Sequence, residues 1–146
     1  MIIKRPRRED SAKLTRLYCE IWSKEDPRRV KNYFLEKIKN KEIFVVFEND
    51  FPIGIISFTK SWWRGADYID EIVVDEKGRG KGVAKKLVIV FEQDAKKRKA
   101  RRIFSSTQSS NRISIKMQQK LRYKNCGYID DMFEEEQKEI IFSKKP

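Results

Sequence analysis

The sequence contains no histidine at all, and this absence excludes more chemistry than any other feature of the composition. A serine or cysteine nucleophile activated by imidazole, a histidine-ligated metal and a histidine general base are all ruled out. Carboxylates, water and a few phenols are left to move protons near neutral pH. Cysteine is nearly as scarce: Cys19 and Cys126 stand far apart without CxxC spacing, which indicates neither a disulfide framework nor a zinc site. No apolar run approaches ~18 residues, so no membrane partner is expected. The opening Met1-Ile-Ile-Lys-Arg-Pro6 lacks the apolar core and cleavage site of a signal peptide, and the chain reads as cytoplasmic.

What is present suits one folded domain spanning residues 1–146, with 39% hydrophobic and 12% aromatic residues. Charged residues make up 38% of the chain and the net charge is +12, a Lys-, Arg- and Glu-rich balance of the kind found at high growth temperature. Neither an internal repeat nor a long linker interrupts the sequence.

The chain is organised around Tyr68–Phe91. Ile69, Ile72, Val73 and Val74 form a short β-branched run of strand length, while Val83, Ala84, Leu87, Val88, Phe91 and Ala95 recur at helical spacing. Between them lies a glycine-rich cationic turn, Glu76-Lys-Gly-Arg-Gly-Lys-Gly82. Gly78, Gly80 and Gly82 free the backbone and remove side-chain bulk, and the following helix points its unpaired N–H groups into the turn. A phosphate is the natural occupant. The spacing matches neither the P-loop G-x-x-x-x-G-K-[ST] nor the dinucleotide fingerprint G-x-G-x-x-G.

It does match another pattern. Arg79-x-x-Gly82-x-Ala84 resembles the [RQ]-x-x-G-x-[GA] signature of the GNAT superfamily of acetyl-CoA-dependent N-acetyltransferases, with Val74-Asp75 similar to the end of the family's fourth strand. The periodicity elsewhere supports the likeness across nearly the whole chain. Ile2–Arg5 reads as a strand, and a helix capped by Asp10 or Ser11 carries Leu14, Leu17, Tyr18, Ile21 and Trp22 on one face. A second helix starts at Pro27, carries Val30, Phe34 and Ile38 inward and ends near Asn40. Ile43–Phe47 and Pro52–Phe58 form a hairpin, followed by Ser61-Trp-Trp-Arg-Gly65 and the central strand. After the central helix come a strand over Arg102–Ser105, a helix from Asn111 with Ile113, Met117 and Leu121 spaced by four, and a closing hairpin of Gly127–Met132 and Glu139–Phe142. The resemblance implies an α/β fold with a mixed central sheet of about seven strands and four helices, in the order β-α-α-β-β-β-α-β-α-β-β.

It also implies site residues. The pantetheine arm of acetyl-CoA would hydrogen-bond the backbone of Ile72, Val73 and Val74, with an N–H near Val73 or Val74 polarising the thioester carbonyl. Arg79, Gly80, Lys81, Gly82, Val83, Ala84 and Lys85 would cradle the pyrophosphate. Asn111-Arg-Ile-Ser114-Ile-Lys-Met117-Gln118-Gln-Lys-Leu121-Arg122-Tyr123 is similar to the family's N-x-x-A-x-x-[FL]-Y-x-x-[LF]-G-F. On that register Asn111 would reach the pantetheine arm, a role compatible with capping the helix that follows. Ser114 stands for the small residue, and Gln118 stands where many members carry the tyrosine that protonates the coenzyme A thiolate. Tyr123 is the only nearby phenol for that acid role, at what is otherwise a packing position. Sliding Tyr123 onto the tyrosine position would displace Asn111.

A thiol of pKa about 8.5 leaves tolerably without an acid, whereas a lysine-like acceptor of pKa ~10.4 must lose its proton at a cost of roughly 4.6 kcal/mol at neutral pH. A base therefore matters more. Glu71, just before the coenzyme-binding end of the central strand, is the first candidate. Asp70, which strand alternation sends to the opposite face, is the second. For both, an ion pair with a nearby Lys or Arg is the competing structural role. The reaction implied is direct attack by an amine acceptor, small molecule or protein, in a ternary complex without a metal.

Two features stay outside this scheme. Trp62-Trp63 could wall a cleft, cover a core edge or form a homodimer contact. The run Lys96-Lys-Arg-Lys99 through Arg102 supports the alternative of a basic nucleic-acid or acidic-protein binding module, although it falls at a helix end, where cations are favoured by the dipole. Gln118 keeps a third alternative, a GNAT fold that binds acetyl-CoA without catalysis. Glu134-Glu-Glu136 could attract a cationic amine or simply form a solvated hairpin tip.

Overall fold

The computed structural model describes Met1–Pro146. Its elements are β1 (Ile2–Lys4), α1 (Ser11–Ile21), α2 (Pro27–Lys39), β2 (Ile43–Glu48), β3 (Phe51–Trp63), β4 (Ala66–Val74), α3 (Val83–Lys97), β5 (Ile103–Gln108), α4 (Arg112–Lys120), β6 (Lys124–Asp130) and β7 (Lys138–Lys144). The seven strands form a mixed sheet in the order β1-β2-β3-β4-β5-β7-β6, with β4 and β5 parallel. The expected fold class and element order are those found. No helix is long and apolar enough to cross a membrane.

Contacts divide the chain into two compact units, Met1–Phe58 with Asp70–Phe91, and Thr59–Ile69 with Glu92–Pro146. In the first, α1 and α2 lay Leu14, Leu17, Val30 and Phe34 against Ile43, Val45, Phe47, Ile55 and Val73. Asp26 caps α2, its side chain accepting from Arg28 N at 3.0 Å, and Pro27 takes the first helical position. The first part of α3 buries Val83, Leu87, Val88 and Phe91, and the Phe91 ring lies 4.5 Å from that of Phe58. A Cβ at Gly54 would collide with Val83 and press on Leu87, so a residue without a side chain is what lets α3 approach β3 closely.

In the second unit Asp67, 1% exposed, accepts a 2.6 Å ion pair from Arg98, which also holds Asp94 at 2.7 Å. β7 pairs with both β5 and β6. Every residue of β6 is exposed, and its ladder slips between Asn125 and Gly127, where Gly127 takes φ +122°.

Two sequence expectations are corrected. β3 continues through Ser61, Trp62 and Trp63, which the apolar pattern left outside the strand; the tryptophans extend the hairpin although they are exposed. Trp22 lies past the end of α1 and is 52% exposed rather than on the buried stripe. Ile113, spaced by four from Met117 and Leu121, is 86% exposed, and the buried residue of α4 is Gln118.

Gly54→Ala is expected to destabilise the protein by about 1–3 kcal/mol, because the added methyl must displace Val83 in a packed core. Urea unfolding checks this, with a lowered midpoint and an unchanged slope expected.

Candidate active site

The loop after β4 is built by backbone bonding. Asp75 N donates to Ile53 O at 2.9 Å, and Asp75 in turn accepts from Gly78 N at 2.9 Å and, through its side chain, from Lys77 N at 3.3 Å. These bonds wind Glu76–Gly78 into one 3₁₀ turn. Gly80 and Gly82 then take φ +73° and +72°, and nothing lies within 4 Å of the position a Cβ would occupy at either. Lys86 N bonds Gly82 O at 3.0 Å as α3 begins, which leaves the earlier amides of the helix without helical partners. Arg79, Lys81 and Lys85 are exposed around this opening while Val83 is buried. Open glycine backbone, free amides, a positive helix end and three cations together suit an anion that follows the main chain. Arg79–Lys85, the residues expected to cradle a pyrophosphate, form one local structure, and Ile72, Val73 and Val74 lead into it along β4.

Glu71 sits in the same unit, beside α1. Tyr18 Oη donates to Glu71 Oε1 at 3.2 Å. Burial raises the Glu71 pKa above the usual carboxylate range, and the charges of Asp70 and Glu25 push the same way against the bond from Tyr18. The Tyr18 phenol is itself raised, by burial and then by Glu71, and so remains a proton donor.

Asp70 does not point away from this side as alternation implied. Its Oδ2 lies 2.6 Å from Lys37 Nζ, and the same ammonium donates to Phe58 O at 2.7 Å and to Glu42 Oε2 at 3.3 Å. Both carboxylates therefore engage the α1–α2 pair, Asp70 through α2 and Glu71 through α1. Lys37 is only 8% exposed, and a buried ammonium requires a carboxylate beside it, which Asp70 and Glu42 supply. Next to this network Tyr33 Oη and Ser57 Oγ are 2.7 Å apart.

Lys37, Tyr18, Tyr33 and Ser57 were not singled out from the sequence. One signal was available: Lys37 lies seven residues after Val30 and three after Phe34, on the buried stripe of α2, where a lysine needs a partner.

The remaining candidates belong to the second unit. Asn111 caps α4, its Oδ1 accepting from Ser114 N at 3.1 Å. Gln118 is buried at 4% exposure, and its backbone carbonyl accepts from Tyr123 N at 2.9 Å. Tyr123 is also buried, and its hydroxyl makes no well-formed hydrogen bond. Burial and the neighbouring Glu92 carboxylate raise that phenol far above its ordinary value. Lys144, bonded to both Glu92 oxygens at 3.0 Å, lies over the Tyr123 ring. No group of acidic, cysteine or histidine side chains forms a metal site.

The fold, the glycine loop and the strand carboxylate together point to one family. The chain belongs to the GNAT acetyltransferases: the model of the Acetyltransferase (GNAT) family matches residues 11–123. Among solved structures, the chain is similar to an N-acetyltransferase from Staphylococcus aureus Mu50, at 24% identity and TM-score 0.85, covering 99% of this chain and 97% of that one. It is similar to a ribosomal-protein-alanine N-acetyltransferase from Brucella melitensis at 15% identity and TM-score 0.86, with 100% of both chains covered. An aminoglycoside 6′-N-acetyltransferase complexed with coenzyme A matches at 17% identity and TM-score 0.85, covering 99% and 97%. No curated protein matches the sequence.

The raised Glu71 pKa has a consequence for stability. The folded chain holds this proton more tightly than the unfolded chain, so the Glu71 contribution is full below the ordinary value of 4.5 and is lost as pH rises through the higher folded value. Glu71→Gln, which keeps an acceptor for Tyr18, is expected to melt higher relative to the parent at about pH 7 than at about pH 4. Paired thermal melts at the two pH values check this.

Proposed function

We propose that the protein is an N-acetyltransferase that carries an acetyl group from acetyl-CoA to an amine by direct attack in a ternary complex, with all 146 residues acting as one catalytic domain. The observation that carries this reading is the open turn Arg79–Ala84, with two left-handed glycines and unpaired helix amides at the end of β4, in a chain whose family is shown. The coenzyme A in one structurally similar acetyltransferase agrees with it.

Bound acetyl-CoA supplies an activated acyl group as a thioester. Arg79, Lys81 and Lys85, with the backbone of Gly80, Gly82, Val83 and Ala84, hold its pyrophosphate. The backbone of Ile72, Val73 and Val74 holds the pantetheine arm, and an N–H of Val73 or Val74 polarises the carbonyl. Asn111, the N-cap of α4, and Ser114 and Gln118 within it are the further residues we assign to the coenzyme.

Glu71 removes the proton of the attacking amine. A carboxylate raised toward neutrality by burial is better matched to an ammonium than one in water, and Asp70, paired with Lys37, leaves Glu71 as the carboxylate without a cationic partner. Tyr123 retains its proton throughout the neutral range, and its ring serves packing; the thiolate leaves without requiring it.

Gly82→Glu is expected to abolish acetyl-CoA binding by calorimetry while circular dichroism stays that of the parent, because it places bulk and negative charge in the turn. Coenzyme affinity equal to the parent's would refute the loop assignment. Glu71→Gln is expected to lower the rate about 100-fold or more with coenzyme affinity nearly unchanged. Retained activity on a panel of amines, across the pH profile, would remove Glu71 as the base.

A further inference from the structure

The two sequence features left outside the acetyl-transfer scheme meet in the second unit. Trp62 and Trp63 end β3, and the cationic run Lys96–Arg102 leads from the last turn of α3 into β5. Three bonds tie them together. Arg101 N donates to Gly65 O at 2.9 Å, Asp67 N donates to Arg102 O at 2.9 Å, and Arg98 pairs with Asp67 at 2.6 Å. The Arg101 side chain passes close beside Gly65, whose Cβ position lies 3.4 Å from Arg101 Cδ.

The aromatic part is held in place. The Trp62 ring lies 5.0 Å from Tyr68 and 6.2 Å from Phe104, and Tyr68 Oη is 2.8 Å from Ser106 Oγ. Even so, Trp62 remains 52% exposed and Trp63 61% exposed, a large apolar area to leave in water on a structured hairpin. Arg98 is occupied by Asp67 and Asp94. Lys97, Lys99, Arg101 and Arg64 are exposed, and no carboxylate ion pair joins them to the fold.

We propose that this surface, Trp62–Arg64 with Lys97, Lys99 and Arg101, binds single-stranded nucleic acid. Exposed cations neutralise phosphates and release their counterions. Tryptophan faces offer stacking platforms to unpaired bases, which a duplex keeps stacked within itself. An acidic peptide uses only the cations, because the negative π face of an indole does not favour carboxylates. The surface lies apart in sequence from the glycine loop, and its occupancy does not depend on acetyl transfer.

The test is fluorescence anisotropy of a labelled single-stranded oligouridylate with the full chain at several salt concentrations, alongside the intrinsic tryptophan signal. Saturable binding that quenches tryptophan and persists in excess coenzyme A is expected. Trp63→Ala, at an exposed position, is expected to weaken binding about tenfold or more. A Lys97→Ala, Lys99→Ala, Arg101→Ala variant should weaken it too and reduce the salt slope by about 2. Three results would overturn the proposal: equal binding by Trp63→Ala, displacement by coenzyme A, or equally effective competition by polyglutamate, which would indicate an acidic-protein surface.

Discussion

The glycine turn after β4 depends on the contact between the first turn of α3 and strand β3. Val83 and Leu87 pack where residue 54 has no side chain, and Gly78 reaches the same layer, its Cβ position only 3.1 Å from Ile53 O and from Val74. With both ends of the turn clamped to the sheet, Arg79–Gly82 has no core of its own to fill. Its glycines can adopt left-handed conformations around open space rather than around packed atoms. The helix dipole and the cations then act on whatever enters that space. The openness of the loop is thus a property of packing one layer beneath it.

The carboxylates of β4 show how two adjacent, chemically similar groups acquire different characters. Asp70 meets an ammonium that is itself buried and shared with Glu42 and the Phe58 carbonyl. Glu71 meets a phenol, which stabilises a negative charge less than a cation does. Desolvation therefore dominates at Glu71 and shifts it toward holding a proton. In a chain without histidine, a carboxylate in such surroundings is one of the few side chains whose proton affinity moves toward the neutral range.

The sequence made the fold legible because its periods are clean and its breaks well marked. Val83, Leu87, Val88, Phe91 and Ala95 all proved buried, Asp26-Pro27 opens α2, and Asn111 caps α4. The open conformation of the cationic glycine turn was readable for the same reason, since it follows from local composition, with Gly80 and Gly82 at positive φ. What sequence spacing does not show is contact between distant residues. The Lys37–Asp70 pair spans two elements, and the meeting of Trp62–Gly65 with Lys96–Arg102 depends on strand pairing near residue 67. The four-residue spacing of Ile113, Met117 and Leu121 marks a helix without saying which way that face points, and Ile113 is exposed.

The outermost strand has a consequence of a different kind. β6 exposes Tyr128 and Ile129 along an edge that no other strand covers, an arrangement that invites sheets of neighbouring molecules to join in crowded solution. Its slipped ladder at Asn125–Gly127, with Gly127 at φ +122°, breaks the flat run of amides such joining requires. Lys124 and Asp130 add a charge at each end. A straightened β6, with an ordinary residue pairing in place of Gly127, would give the chain a longer ladder at the cost of its colloidal independence.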